Sequence, residues 1–133
     1  MKYVGGKFRI AKYLSPVVLS TRPQIVIEPF CGALNMTIRL LKDDPDLLVY
    51  AYDVHKDLVD MWVAVQEGWT PPAAMTREEY NALRSSEEPS PLRTFAGYGC
   101  SFVGKWFGGY VEHPRQRLCT GGAQLGHAPE AIS

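Results

Sequence analysis

The sequence predicts an α/β chain, and three observations carry that class. Gln24 to Glu28 (Q-I-V-I-E) is a short β-branched run closed by Pro29, and Leu47 to Tyr52 is a second apolar run of strand length. Between them, Met36, Ile38, Leu40 and Leu41 recur at helical spacing. Strand, helix and strand then fall within about thirty residues, the length of a βαβ unit, whose right-handed crossover makes the strands parallel.

The remaining elements follow in order. From Lys7 to Ser20, the spacing of Ile10, Leu14, Val17 and Val18 predicts an amphipathic helix entered from the Gly5-Gly6 turn, with Pro16 kinking or restarting it. The first strand is expected to be buried. Asn35 is expected to cap the helix that runs to about Lys42, and Asp43-Asp44-Pro45 to end it. After the second strand, Leu58, Val59, Trp62 and Val65 form one stripe of a helix from Lys56 to Glu67, stopped by Gly68. Trp69 to Pro72 reads as a loop. Thr76 with Glu79 three residues later is a capping box for a helix from Arg77 to Ser85 presenting Tyr80 and Leu83. Ser86 to Pro91 is a polar linker, and Leu92, Phe95, Ala96 and Gly99 fit a short helix. Residues 97 to 110 combine glycines with aromatics and read as a packed loop. From Val111 onward there is no period, and the chain holds no internal repeat.

Composition bounds the function. The chain has 133 residues, 46% of them hydrophobic and 21% charged, which suits one ordinary domain. Fourteen Lys and Arg against 14 Asp and Glu leave no net charge, which argues against a tight, general DNA clamp. The placement is uneven. Lys2, Lys7, Arg9, Lys12 and Arg22 have no acid among them, whereas Asp43, Asp44, Asp46, Asp53, Asp57 and Asp60 surround Lys56 alone. Such asymmetry fits a face that meets an anion and equally fits solvated helix surfaces. Cys31, Cys100 and Cys119 form no C-x-x-C pair, so no disulfide framework or zinc site is expected and a reducing, cytoplasmic setting is. His55, His113 and His127 lack ligand spacing. No apolar run approaches the ~20 residues of a membrane span, and no long hydrophobic region follows the basic start as in a secretory signal. Lys105, Arg115 and Arg117 among Trp106, Phe107 and Tyr110 suit either a nucleic-acid backbone or plain loop packing, the simpler account.

The motifs with chemical content are the Gly-Gly-Lys turn, the Glu-Pro-Phe-Cys-Gly turn after the first strand, and Asp53 after the second. In an open parallel sheet, ligands sit beyond the carboxyl ends of the strands. Glycine there lets backbone approach the ligand, and an acid about twenty residues later can accept from ribose hydroxyls. Gly32 and Asp53 fit that geometry. The turn Phe30-Cys31-Gly32-Ala33-Leu34-Asn35 has one glycine, so a pyrophosphate cradle is not expected, and a phosphate-free nucleoside such as S-adenosylmethionine fits better. Small size accounts for Cys31 in this turn.

At these residues the sequence resembles a known family. K-Y-V-G-G-K at 2–7, E-P-F-C-G-A-L-N at 28–35, Y-D-V-H-K-D-L-V-D-M-W at 52–62 and G-C-S-F-V-G-K-W-F-G-G-Y at 99–110 are similar to successive N-terminal motifs of Dam-like, D12-class DNA adenine N6-methyltransferases, phage-encoded members in particular. The resemblance implies a partial Rossmann-like, S-adenosylmethionine-dependent methyltransferase fold, an incomplete parallel sheet with flanking helices. Residues 1–110 would be its donor-binding half and residues 111–133 a divergent tail. It further implies that Tyr3 and Lys7 contact the methyl donor, Lys7 through the donor's carboxylate. Phe30 and Gly32 would shape the pocket floor, Asp53 would hold the ribose hydroxyls, and Val54 would touch the adenine. Two of these have a plainer reading: Lys7 as a solvated residue opening a helix, and Asp53 as a helix N-cap before Lys56. Glu28 is open between a ligand to the donor's ammonium and a strand-end acid.

Family chemistry moves a methyl group to N6 of an adenine rotated out of the duplex, with an Asp-Pro-Pro-Tyr loop gripping the weakly nucleophilic amine. The Pro-Pro of this chain, Pro71-Pro72, lacks the acid and the aromatic and comes too early. The expectation is therefore a methyltransferase half with no catalytic residues of its own, inactive alone, from a truncated, frameshifted or split protein. Duplex DNA is its partner by resemblance only. A second copy or a complementing chain would cover the apolar edge of so small a sheet. The alternative is a non-catalytic binding or assembly protein that keeps the half-fold.

Overall fold

The computed structural model describes residues 1–112, which fall into two units: residues 5–54, and residues 1–4 together with 55–112. The tail from 113 to 133, with His113, Arg115, Arg117, Cys119 and His127, lies outside the described residues.

In residues 5–54, α1 (Ala11–Ser20) starts later than its periodicity suggests. Lys7 to Ile10 form a turn in which the Ile10 and Ala11 N–H groups both donate to the Lys7 carbonyl, at 3.0 and 2.8 Å. Pro16 lies inside α1, and the helix continues through it. The buried stripe also differs from the expected one. Ala11 and Ser15 are buried with Val18 and Leu19 partly so, whereas Ile10, Leu14 and Val17 are 45%, 41% and 65% exposed. The cause is the neighbour: α1 packs on α2 (Asn35–Asp43), small side chains let the helices approach, and the Ser15 hydroxyl donates to Asp43 Oδ2 at 2.7 Å.

Strands β1 (Ile25–Glu28) and β2 (Leu48–Ala51) pair in parallel, Ile25 with Leu48 through Glu28 with Ala51, and α2 connects them as the βαβ reading requires. The core is Leu40, Leu41, Leu47 and Val49, with Val18, Leu19, Val26 and Met36 packed against it. β1 is not the buried strand expected: Ile25 and Ile27 are 52% and 65% exposed. Alternation puts them opposite Val26, whose face carries the core, and among the described residues the sheet is two strands wide. The N-cap of α2 is Leu34 in the left-handed conformation (φ 55°), so Asn35 is the first helical residue and not the cap.

The second unit is helical. α3 (Lys56–Gln66) is capped by His55, whose Nδ1 accepts from the Leu58 N–H at 3.3 Å. α4 (Arg77–Ser85) has the capping box that Thr76 and Glu79 foretell. α5 (Pro91–Gly99) starts with Pro in its first turn behind a Ser90 cap, is buried from Thr94 onward, and packs on both α3 and α4. Residues 97 to 110 are only partly loop: Gly97 to Gly99 complete α5, a 3-10 turn spans Phe102–Gly104, and Ser101 pairs with Tyr110 in an isolated antiparallel bridge. The Trp106 ring lies where a Cβ on Gly97 would stand. The aromatics near Lys105 pack internally. The Trp106 ring packs tilted against Tyr98 and edge-on against Phe107, its centroid 4.8 Å from each, and the Arg93 guanidinium lies over the Trp106 ring at 5.2 Å. Both units together are a mixed α/β assembly of elements, and no helix among the described residues is long and apolar enough to cross a membrane.

Candidate functional site

The parallel register makes both strands of residues 5–54 end on the same side, so the segments after Glu28 and after Ala51 emerge together. Backbone hydrogen bonds carry the ladder past the strands: Tyr52 N–H donates to the Glu28 carbonyl and Cys31 N–H to the Tyr52 carbonyl, each at 2.8 Å. The turn from Pro29 to Leu34 then folds inward, with Cys31, Gly32, Ala33 and Leu34 all buried. Gly32 has φ 48°, a backbone conformation that side chains strain, which is why this position needs glycine. Its N–H donates to Asp53 Oδ2 at 2.9 Å. Asp53 is therefore held against the glycine turn, and the helix-capping role that sequence also allowed it belongs to His55.

Glu28, at the end of β1, accepts the Thr37 N–H at 3.1 Å and the Thr37 hydroxyl on the same carboxylate oxygen. Burial pushes its carboxyl above the ordinary range, opposed by the two Thr37 hydrogen bonds and by the charge of Lys7. Burial, with the Asp53 and Glu28 carboxylates, pushes the Cys31 thiol up to about 12, so Cys31 stays a neutral thiol and is no nucleophile. Lys7 is exposed, and its ammonium donates to the Gly5 carbonyl at 2.7 Å.

The structure thus brings Lys7, Glu28, Gly32 and Asp53 to one end of the sheet. Phe30 and Val54 flank this end with side chains 83% and 96% exposed, so neither is part of the unit's core. Tyr3 belongs to the other unit: its ring lies 5.0 Å from that of Tyr98, and its backbone fills the space beside Gly104 where a Cβ would stand. Thr37 is the participant that sequence reading missed. The signal for it was an acid ending a strand, followed by a hydroxyl residue in the first turn of the next helix.

Chemically, the cluster offers one cation and two carboxylates around a buried glycine turn. It has hydrogen-bond acceptors for hydroxyl or ammonium groups and a cation for a carboxylate. It lacks both a run of glycine N–H groups for a phosphate and an activated nucleophile. Among the described residues there is no group of three or more His, Cys, Asp or Glu side chains able to hold a metal ion. Comparison of the chain with protein-family models, curated proteins and solved structures gave no match in any of the three.

Proposed function

We propose that this chain is the donor-binding half of an S-adenosylmethionine-dependent, Dam-like DNA adenine N6-methyltransferase, with a partial Rossmann-like fold, and that it transfers no methyl group alone. The observation that carries the reading is the hydrogen bond between Gly32 and Asp53 at the carboxyl end of two parallel strands. It orients the Asp53 carboxylate beside a turn that backbone can bring close to a ligand, the arrangement that ribose recognition requires.

Charge supports the choice of ligand. The donor has two cationic centres, sulfonium and ammonium, and one carboxylate, while the cluster has the carboxylates of Glu28 and Asp53 and the cation of Lys7. In this reading Asp53 accepts from the ribose hydroxyls and Lys7 pairs with the donor's carboxylate. Phe30 and Val54 supply apolar surface to the adenosine, which would account for two large side chains left in water. When bound, the donor supplies an electrophilic methyl group. These 133 residues hold no acceptor-gripping Asp-Pro-Pro-Tyr loop, so in this reading the adenine and the groups that grip its amine are supplied from outside them. Duplex DNA is then a partner of the completed assembly.

Titration calorimetry with S-adenosylmethionine tests this. A one-to-one event that Asp53→Ala abolishes is the expected result, together with no methylation of duplex DNA by the chain alone. The second reading, an assembly module without donor binding, is favoured by the apolar side chains left exposed on α1 and β1. Absence of donor heat from the wild-type chain would select it.

A further inference from the structure

Glu28 is the acid whose role the sequence leaves open, and its contacts suggest a role other than touching a ligand. We propose that Glu28 is a positioning residue: from the end of β1 it caps α2 across the intervening turn, and so holds the Gly32 turn in the shape that presents Asp53. The inference deepens the donor-site reading and rests on it for the identity of the ligand.

The case begins at the start of α2. A helix leaves its first N–H groups without partners inside the helix, and a side chain at the N-cap ordinarily accepts one. Here the N-cap is Leu34, apolar and left-handed, and no side chain in the local sequence takes that place. The first intrahelical bond is Ile38 N–H to the Leu34 carbonyl at 2.8 Å, so the Thr37 N–H is one of the orphan donors. Glu28 supplies its acceptor from nine residues upstream, and the Thr37 hydroxyl donates to the same oxygen. Thr37 is 4% exposed, so water cannot readily replace the carboxylate.

The turn between is consequently tied at two points, at its exit by Glu28, which ends β1, and at its middle by Asp53, which follows β2. Releasing Glu28 frees the start of α2, and with it Leu34 and the left-handed Gly32 whose N–H orients Asp53. The charged and titratable groups acting at this point are Lys7, the Cys31 thiol and Asp53. A carboxylate already accepting two Thr37 donors on one oxygen is built into the scaffold, and its partial burial fits that place.

Amide hydrogen exchange on the full chain tests the clamp directly. Glu28→Gln keeps the side chain's shape without its charge. Thr37→Val is a milder change that keeps the N–H and removes the hydroxyl. Both are expected to speed exchange at Gly32, Leu34 and Thr37 by about tenfold, the scale of one lost charge-assisted bond, while Val49 in the core is unchanged. Unaltered exchange at the turn in both variants overturns the proposal. The ligand arm titrates S-adenosylmethionine and 5′-methylthioadenosine, which lacks the amino-acid end. A positioning role weakens both by the same factor in Glu28→Gln, whereas loss confined to S-adenosylmethionine means that Glu28 meets the ammonium and overturns the proposal. If the wild-type chain binds neither probe, the donor-site reading fails, and the exchange comparison alone decides the clamp.

Discussion

Replacing Tyr80 by Phe removes one oxygen from a buried hydrogen-bonded chain in residues 55–112, and its cost can be worked from the bonds it breaks. Tyr80 and Ser101 are each 1% exposed. The Ser101 hydroxyl spends its proton on the Ala96 carbonyl at 3.1 Å, so in the 2.8 Å contact between the two hydroxyls Tyr80 is the donor. The Tyr80 oxygen in turn accepts the Gly109 N–H at 3.3 Å. The result is a one-way relay from Gly109 through Tyr80 and Ser101 to Ala96, linking α4, the end of α5 and the glycine-rich segment after it. Tyr80→Phe deletes about 1 kcal/mol of net hydrogen bonding and leaves the Gly109 N–H without its acceptor, at about 1 kcal/mol or more, so a loss of about 2–3 kcal/mol is expected. The three tryptophans, Trp62, Trp69 and Trp106, all lie in this unit, so urea unfolding followed by their fluorescence reads it alone. Ser101→Ala, measured singly and with Tyr80→Phe, should show a coupling of about 1 kcal/mol. A Tyr80→Phe loss below about 0.5 kcal/mol, or additive single and double variants, would refute the relay as a source of stability.

Two further outcomes follow from the packing and the caps. Gly97→Ala sets a methyl group against the Trp106 ring inside buried α5 and is expected to cost about 1–3 kcal/mol in the same fluorescence assay, with Trp106 emission shifted; an unchanged midpoint would show that the ring moves freely. The Glu79 carboxyl is held below its ordinary value by the backbone and then the hydroxyl of Thr76, so the capping box stabilises the fold above the unfolded-state value near 4.5 and loses that contribution as pH falls through the lower folded value. Glu79→Gln should flatten the acid limb of the stability profile, and an unaltered acid limb would remove the capping box from the account.

Sequence legibility tracked how local each determinant was. The capping box at Thr76, the short helix over Leu92 to Gly99 and the strand–helix–strand order were all readable from patterns within each segment, although Pro91, read as the end of a linker, is the first residue of α5. The buried stripe of α1 was not. Ile10, Leu14 and Val17 have the helical spacing of a core face, but α2 packs on the smaller Ala11 and Ser15, and no local pattern encodes that choice. The α2 cap failed for the same reason: Asn35 has a capping side chain but lies one residue inside the helix, and the acceptor comes from β1. In the candidate site, the meeting of Gly32 with Asp53 was legible because parallel strands bring their carboxyl ends together, a rule that does not reach Lys7, which precedes α1. Whether Glu28 faced outward or clamped the helix depended on Thr37, whose place in the first turn of α2 gains meaning only once the end of β1 is set beside it.

The exposure of Ile25 and Ile27 also has a bearing on how the chain behaves in concentrated solution. An apolar strand offering an open edge is a template for stacking identical copies into fibres, which ordinarily takes six or seven consecutive residues. Pro23 and Pro29 bracket β1, and neither has an N–H to give to an incoming strand. The stretch a foreign strand can pair with is thus cut to Gln24–Glu28, ending in a carboxylate. The prolines act as gatekeepers, so the same edge can accept one short partner strand while resisting indefinite growth.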